Sequence, residues 1–327
     1  MPASTPFSTF SRWLLPFIGI VCTTASSQSL PAANFLPRAL PDVSGITISK
    51  RVDEVNLAFT VTDKKGHLIN DLGFADFSIL DNHLAPEGVN FFQQQTDLPL
   101  RVAVLVDASD SILYRFDYEK SAAGSFLKHI LRPGKDQAFV VAFNDHVRLI
   151  HDDTDNTRAL SKAVKRIQAG GNTALYDAVM WTAGKLQGSP PQTRRAIILI
   201  SDGEDTHSKA RLFEAEQAAV RAQVTLFALS TNEFPFSHSA GEEVMKLLTA
   251  GTGGMILPAR DEYHLSRAFR QVEQALRNQY AIAYRPARFT PDGSFRLVEI
   301  LTARKGLRIQ CRRGYYAREQ ASILPEH

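Results

Sequence analysis

The sequence predicts an α/β protein: a doubly wound, mostly parallel sheet, with a small β-sandwich-like domain built from the strands that flank it on the amino- and carboxyl-terminal sides. Three observations predict this. Residues 102–106 form an apolar run without alternation, the habit of a strand covered on both faces. From about 101 to 277 such runs alternate with helical patterns, as in a parallel sheet. On either side of that stretch lie short alternating strands separated by turn residues.

Taken in order, Arg12 precedes a short apolar run over 13–22 that is followed by small, mostly polar residues. This reads as a secretory signal peptide over 1–27, with cleavage after Ala25 or Ser27. The run is about half of the ~20 residues a spanning helix needs. An uncleaved signal anchor and lipidation at Cys22 are the alternatives, although bulky Val21 before Cys22 disfavours the second. Residues 28–46, with Pro31, Pro37 and Pro41 and no periodicity, read as a linker.

The first part of the β domain is assigned to 47–97. Residues 52–61 are strand-like, 63–66 make a turn at Gly66, and 77–80 form a second strand before Asp81 and Asn82. The α/β domain is assigned to 98–278, with strands at 101–107, 137–143, 147–150, 195–201, 224–229 and 254–257. Its helices are expected at 115–131, 157–168, 174–187, 209–221, 240–250 and 261–277. Asn144 and Asp145 lie between two closely spaced strands and predict one hairpin, hence one antiparallel edge. The second part of the β domain, 279–318, has strands at 280–284, 295–300 and 307–311 and ends in Arg313, Gly314, Tyr315 and Tyr316; 319–327 is a tail.

Composition narrows the classes. At 327 residues and 44% apolar content the chain has material for one large and one small core. The 37 basic and 34 acidic residues are interspersed, and a net charge of +3 gives no electrostatic footprint for nucleic acid. Without the first 27 residues Cys311 is the single cysteine, so no internal disulfide holds the fold. Cys311 lies in an alternating pattern and reads as a strand residue rather than a nucleophile.

The chemistry is concentrated at three places. Asp107, Ser109 and Ser111 follow the buried run at spacings of two. Thr173 lies in a loop opened by Gly170 and Gly171, before a helical pattern, and Asp202 ends a second apolar run. A carboxylate with hydroxyls is an oxygen-only donor set, suited to Mg²⁺, Mn²⁺ or Ca²⁺ rather than zinc. The crevice beyond the carboxyl ends of parallel strands is where open α/β sheets bind ligands.

This Asp-x-Ser-x-Ser, Thr, Asp series resembles the metal-ion-dependent adhesion site of von Willebrand factor type A domains. The likeness covers roughly residues 99–277, and no ligand position is substituted. It implies that Ser109, Ser111 and Thr173 hold a divalent cation, most simply Mg²⁺, with Asp107 and Asp202 acting directly or through water. An open coordination position would then accept a carboxylate from a protein partner. The flanking β segments, with the 76–82 element and the Arg-Gly-Tyr-Tyr ending, also resemble a subgroup of secreted bacterial type A-related proteins.

Neighbouring polar residues carry plainer readings. Asp110 is expected to be an exposed bystander adding negative potential. Thr173 could also cap the helix beginning at Ala174. Glu204 and Asp205 read as loop residues and Asp177 as a helix residue, with contact to metal-bound water as the alternative, and hairpin chemistry accounts for Asn144 and Asp145. Residues 151–153, which include His151, read as a surface loop, since adjacent residues on a strand end point to opposite faces. His207 is expected to be solvent-exposed, and Phe234 and Phe236 to form an apolar lid on the metal edge.

The function expected is therefore an exported, non-enzymatic, metal-ion-dependent protein-binding module of adhesion type, located in the periplasm, at the cell surface or outside the cell. A structural envelope component with a dispensable metal is one alternative. A metal-dependent hydrolase is another, but Ser109 stands where an aspartyl phosphatase wants a second carboxylate, and Walker and Gly-x-Ser-x-Gly motifs are missing.

Overall fold

Six strands build the central sheet: β4 (Leu100–Asp107), β5 (Gln137–Phe143), β6 (Val147–Thr154), β7 (Arg194–Ser201), β8 (Val224–Ser230) and β9 (Ile256–Pro258). They lie in the order β6-β5-β4-β7-β8-β9, and every pairing is parallel except that of β5 with β6. The computed structural model describes residues 54–95, 97–112, 116–190, 193–232 and 239–317. The segments expected to be a signal peptide, a linker and a tail, together with Cys22, Phe234 and Phe236, lie outside the described residues.

Unbroken apolar runs make these strands because both faces are covered. Val102, Val104 and Val106 pack beneath α1 (Phe116–Ile130), α2 (Thr157–Lys165) and α6 (Glu262–Arg277), while Ala103 and Leu105 pack beneath α3 (Leu175–Gln187), α4 (Leu212–Arg221) and α5 (Ala240–Thr252). Asn156, Ser239 and Asp261 cap α2, α5 and α6, each accepting first-turn N–H bonds. No helix among the described residues is long and apolar enough to cross a membrane.

The helices run back toward the starts of the strands, so their unpaired carbonyls collect at that end, and arginines answer them. Arg277 donates to Ile130 O, Arg194 to Leu276 O, Arg195 to Ala222 O and Ser189 O, and Arg101 to Lys185 O.

Two residue readings are corrected by the structure. The 151–153 stretch is not a surface loop, because β6 continues to Thr154. Its pairing with β5 persists through two register shifts, and Arg101 clasps Asp153 at 2.7 and 2.8 Å while Lys185 Nζ reaches Asp152 at 2.6 Å. Nor does Thr173 cap α3: the cap position is Ala174, with no side-chain bond.

The flanking segments form two further sheets, as the fold class predicts. The four-stranded one has the order β12-β1-β10-β3, from β12 (Arg308–Cys311), β1 (Val55–Thr62), β10 (Gln279–Arg285) and β3 (Gly88–Gln95). The three-stranded one has the order β13-β11-β2, from β13 (Gly314–Tyr316), β11 (Phe295–Thr302) and β2 (Phe77–Asp81). Leu57, Phe59, Tyr280 and Ile282 alternate inward and are buried against Phe77, Ile79 and Val298. Strand β1 lies between β10 and β12, so strands from both sides of the α/β segment share one sheet.

Candidate metal centre

Strand β4 carries Asp107 to the carboxyl edge of the sheet, fully buried between β5 and β7. The chain then turns through Ala108 and Ser109 into a single 3-10 turn, Asp110–Ile112, which presents Ser111 at the surface. Asp107 Oδ1 accepts the Ser109 N–H at 3.0 Å, and Oδ2 accepts the Ser201 hydroxyl at 2.6 Å. Ser201 Oγ in turn receives the Gly203 N–H at 3.0 Å. Burial pushes the Asp107 carboxyl up to about 6, against the hydrogen bonds from Ser201 and Ser109, and the Asp202 charge adds to the rise.

Beyond this buried base lies a triangle of oxygens. Ser109 Oγ and Ser111 Oγ are 3.1 Å apart, and Ser111 Oγ is 2.7 Å from Asp202 Oδ2. Neighbouring ligands of an octahedral Mg²⁺ with bonds near 2.1 Å are separated by about 3.0 Å, so the Ser109–Ser111 and Ser111–Asp202 pairs each stand near the spacing of a coordination edge. Among the described residues no three His, Cys, Asp or Glu side chains come together as a metal site. The donor set is thus hydroxyl-rich, which fits a hard divalent cation.

Thr173 reaches the same edge through its main chain. Gly170 N–H donates to Ala108 O at 2.8 Å and Asp110 N–H to Gly171 O at 3.1 Å, lacing this loop to the one after β4. Thr173 O accepts the N–H groups of Thr206 and His207, both at 2.9 Å, and Thr173 N–H donates to Thr206 Oγ1 at 3.0 Å. The Thr173 side chain is buried. Gly170 and Gly171 have φ of 147° and 96°, and a Cβ on Gly171 would stand 2.1 Å from Asp145 Oδ2, so this path is open to glycine alone.

The neighbours divide between bracing and exposure. Asn144 Nδ2 donates to Gly170 O at 2.6 Å, and Asp145 Oδ1 accepts from Asn172 N–H and Nδ2, so the pair clamps the glycine loop as well as turning the hairpin. Hydrogen bonds from Asn172 hold the Asp145 carboxyl below its ordinary value. Asp177 accepts the Lys209 and Ala210 N–H groups, and Asp205 accepts from Tyr176 N–H and the Ser208 hydroxyl, so both tie the Thr206 loop to α3. Glu204 donates its N–H to Asp202 Oδ1 at 3.1 Å. Asp110 and His207 are exposed.

Ser201 and Asn232 are the site residues that sequence reasoning missed. Ser201 fixes the Asp107 carboxylate, and Asn232 Nδ2 holds Asp202 O at 2.9 Å. Ser201 directly precedes Asp202, which was the available signal; Asn232 had none.

The Asp202 loop also touches the start of α5. A Cβ on Gly203 (φ 85°) would stand 2.3 Å from Gly241 O, and one on Gly241 would stand 2.4 Å from Asp202 O. Gly241→Ala must therefore push the Asp202 main chain away. Its expected outcome is a weaker response of thermal unfolding to divalent cations than the wild type gives, with helix content unchanged by circular dichroism.

Residues 102–204 match the family model for the von Willebrand factor type A domain. An uncharacterized protein of Synechocystis sp. is 23% identical over 185 residues, covering 55% of this chain and 42% of its own length. The chain thus spans less than half of the curated relative that it matches. Among solved structures, a von Willebrand factor type A protein from Catenulispora acidiphila is similar at 17% identity and TM-score 0.48, covering 74% of this chain and 72% of that one. Proximal thread matrix protein 1 from the mussel byssus, with a zinc-occupied adhesion-site motif, is similar at 15% identity and TM-score 0.48, covering 60% and 50%. The PilB minor pilin of Streptococcus sanguinis is similar at 13% identity and TM-score 0.44, covering 57% and 62%.

Proposed function

We propose that this chain, a von Willebrand factor type A domain protein, is an exported module that grips an acidic residue of a protein partner through a divalent cation. The observation that carries the reading is the oxygen triangle of Ser109, Ser111 and Asp202 above the buried Asp107. When bound, the cation would supply a positive charge with a coordination position open to a partner's carboxylate, a directional attachment over a small area. Ser109, Ser111 and Thr173 are the direct ligands in this reading, and Asp107 and Asp202 act directly or through water. Ser201 and the Ser109 N–H hold Asp107 in one orientation at the base of the site.

Domain boundaries at 47–97, 98–278 and 279–318 belong to the same proposal, as do Mg²⁺ as the resident ion and export by the amino-terminal segment. The α/β part would carry the site.

The test is thermal unfolding of residues 28–327 in chelator and then across Mg²⁺, Mn²⁺ and Ca²⁺ titrations. A ligand selective for the folded state stabilises it by about 2.7 kcal/mol at a hundredfold excess over Kd. A saturable rise in midpoint is expected for the wild type and not for Asp107→Ala or Ser109→Ala. An unchanged midpoint with every ion at millimolar concentration would sink the reading and favour a purely structural role.

A further inference from the structure

At the end of the α/β sheet opposite the metal centre, a cavity of about 790 Å³ lies between the outer face of the four-stranded sheet and the starts of β7 and β8. Strand alternation explains why space is left there. On β1 and β10 the large residues Leu57, Phe59, Tyr280 and Ile282 turn into the sandwich core, so the alternate positions face outward. Two of those outward positions, Ala58 and Ala281, are direct cross-strand partners, and both line the cavity. Phe91, 39% exposed, adds an aromatic wall.

Opposite this apolar floor stand arginines. Arg194, Arg195 and Arg312 all line the cavity. Arg195 spends two donors on the carbonyls of Ala222 and Ser189, and Arg312 spends one on Asn56 O at 2.8 Å. Both retain a buried Nε–H without a hydrogen-bond partner. Elsewhere in the fold the part-buried guanidiniums are matched by carboxylates: Arg101 by Asp153, Arg132 and Arg277 by Asp136, Arg296 by Asp81. Among the described residues none is matched to Arg195 or Arg312. Glu54, the acidic residue on the cavity wall, accepts instead from Asn90 Nδ2 at 3.0 Å. Burial lowers the pKa of both arginines, and for Arg195 the nearby Arg101 charge lowers it further.

A desolvated cation lacking a counter-charge is costly, and a donor left unpaired in such a place costs more. An oxyanion would supply the missing counter-charge. The volume is that of a small-molecule site, and such sites combine mostly apolar walls with a few convergent polar groups. We infer that this cavity binds an amphipathic organic anion, its carboxylate or phosphate head held by Arg195 and Arg312 and its apolar body lying over Ala58, Ala281 and Phe91.

The probes are octanoate and octyl phosphate, with octanamide and inorganic phosphate as controls, titrated calorimetrically into the full chain. Saturable binding of octanoate, octyl phosphate or both is expected, and each control should bind at least about tenfold more weakly than its amphipathic anion, since octanamide gives up hydrogen bonds to a charged group and inorganic phosphate gives up the burial of an apolar chain. Arg312→Gln should weaken binding by at least about tenfold on the same grounds. Ala58→Phe, which fills the cavity and leaves the arginines in place, should abolish binding while unfolding stays cooperative. The two amphipathic anions also separate the sources of the head group, a carboxylate from a phosphate ester. Absence of saturable binding by both anions would overturn the inference. So would octanamide binding as tightly as octanoate, inorganic phosphate binding as tightly as octyl phosphate, or binding that survives Ala58→Phe.

Discussion

Asp81→Ala is expected to lower the unfolding free energy by about 3–5 kcal/mol, the range for removing one partner of a buried ion pair. Asp81 is fully buried at the end of β2 and sits between the two sheets of the sandwich. Its Oδ1 accepts Arg296 Nε at 2.7 Å, and its Oδ2 accepts the hydroxyls of Tyr284 at 2.7 Å and Tyr315 at 2.8 Å. Tyr284 comes from the four-stranded sheet, whereas Arg296 and Tyr315 come from the three-stranded one, so a single carboxylate rivets both. Burial and the bond to Asp81 raise the pKa of each phenol, which keeps both as donors across the accessible pH range. Alanine would strand a guanidinium with 7% exposure and two buried hydroxyls at once. Tyr315→Phe removes one hydrogen bond and should cost only about 1 kcal/mol. Urea unfolding of the three proteins checks the order; an Asp81→Ala loss no larger than that of Tyr315→Phe would refute the central role given to this carboxylate.

Asp81 also shows where the sequence stops being legible. Its neighbourhood was readable as a strand followed by a turn, and Tyr315 stood out in the Arg-Gly-Tyr-Tyr ending. Their meeting was not readable, because the three partners lie 203, 215 and 234 positions away and nothing local encodes that distance. The central sheet was legible for the opposite reason. Residues 102–106 and 196–200 are apolar without alternation because helices cover both faces, and that cause acts within each strand. Strand β3 was missed since its 93–95 stretch is three glutamines and offers no apolar alternation; its pairing with β10 makes it a strand. The length of β6 was missed because Asp152 and Asp153 read as loop residues until Arg101 and Lys185 are placed beside them.

At the candidate metal centre the spacing of Asp107, Ser109 and Ser111 was visible because one turn after one strand carries all three. The orienting hydroxyl of Ser201 and the clamp of Asn144 and Asp145 on the glycine loop were not, since each acts across two elements that only the sheet brings together. Both ends of the same sheet are thus specialised by a shared geometry. Strand ends present oxygens at the carboxyl edge, and helix ends present carbonyls at the other, where arginines gather.

That arginine-rich edge yields the second large effect: Asp136→Asn should cost about 3–5 kcal/mol at neutral pH, because Arg132 and Arg277 lose their shared counter-charge. Asp136 is fully buried and accepts five hydrogen bonds. Oδ1 takes Leu100 N–H at 2.9 Å and Arg132 Nη2 at 3.0 Å, and Oδ2 takes Arg132 N–H, Arg132 Nε and Arg277 Nη2 at 2.8, 2.9 and 2.5 Å. Burial alone would raise this carboxyl, but the bonds from Arg132, Arg277 and Leu100 outweigh it and hold the group well below the ordinary carboxylate range. A carboxyl depressed by folding binds its proton more readily in the unfolded chain, so its contribution is complete above the unfolded value of about 3.9 and drains away as pH falls below it. Each pH unit in that window removes up to about 1.4 kcal/mol. Asparagine has no such proton to take up, and other carboxylates are common to both proteins. The gap in unfolding free energy between wild type and Asp136→Asn should accordingly be widest at pH 7, hold to about pH 5, and narrow steadily below about pH 4. A gap that stays constant from pH 7 to pH 3 would mean that the carboxylate's charge contributes nothing, and that the arginines at this edge are held by carbonyl oxygens alone.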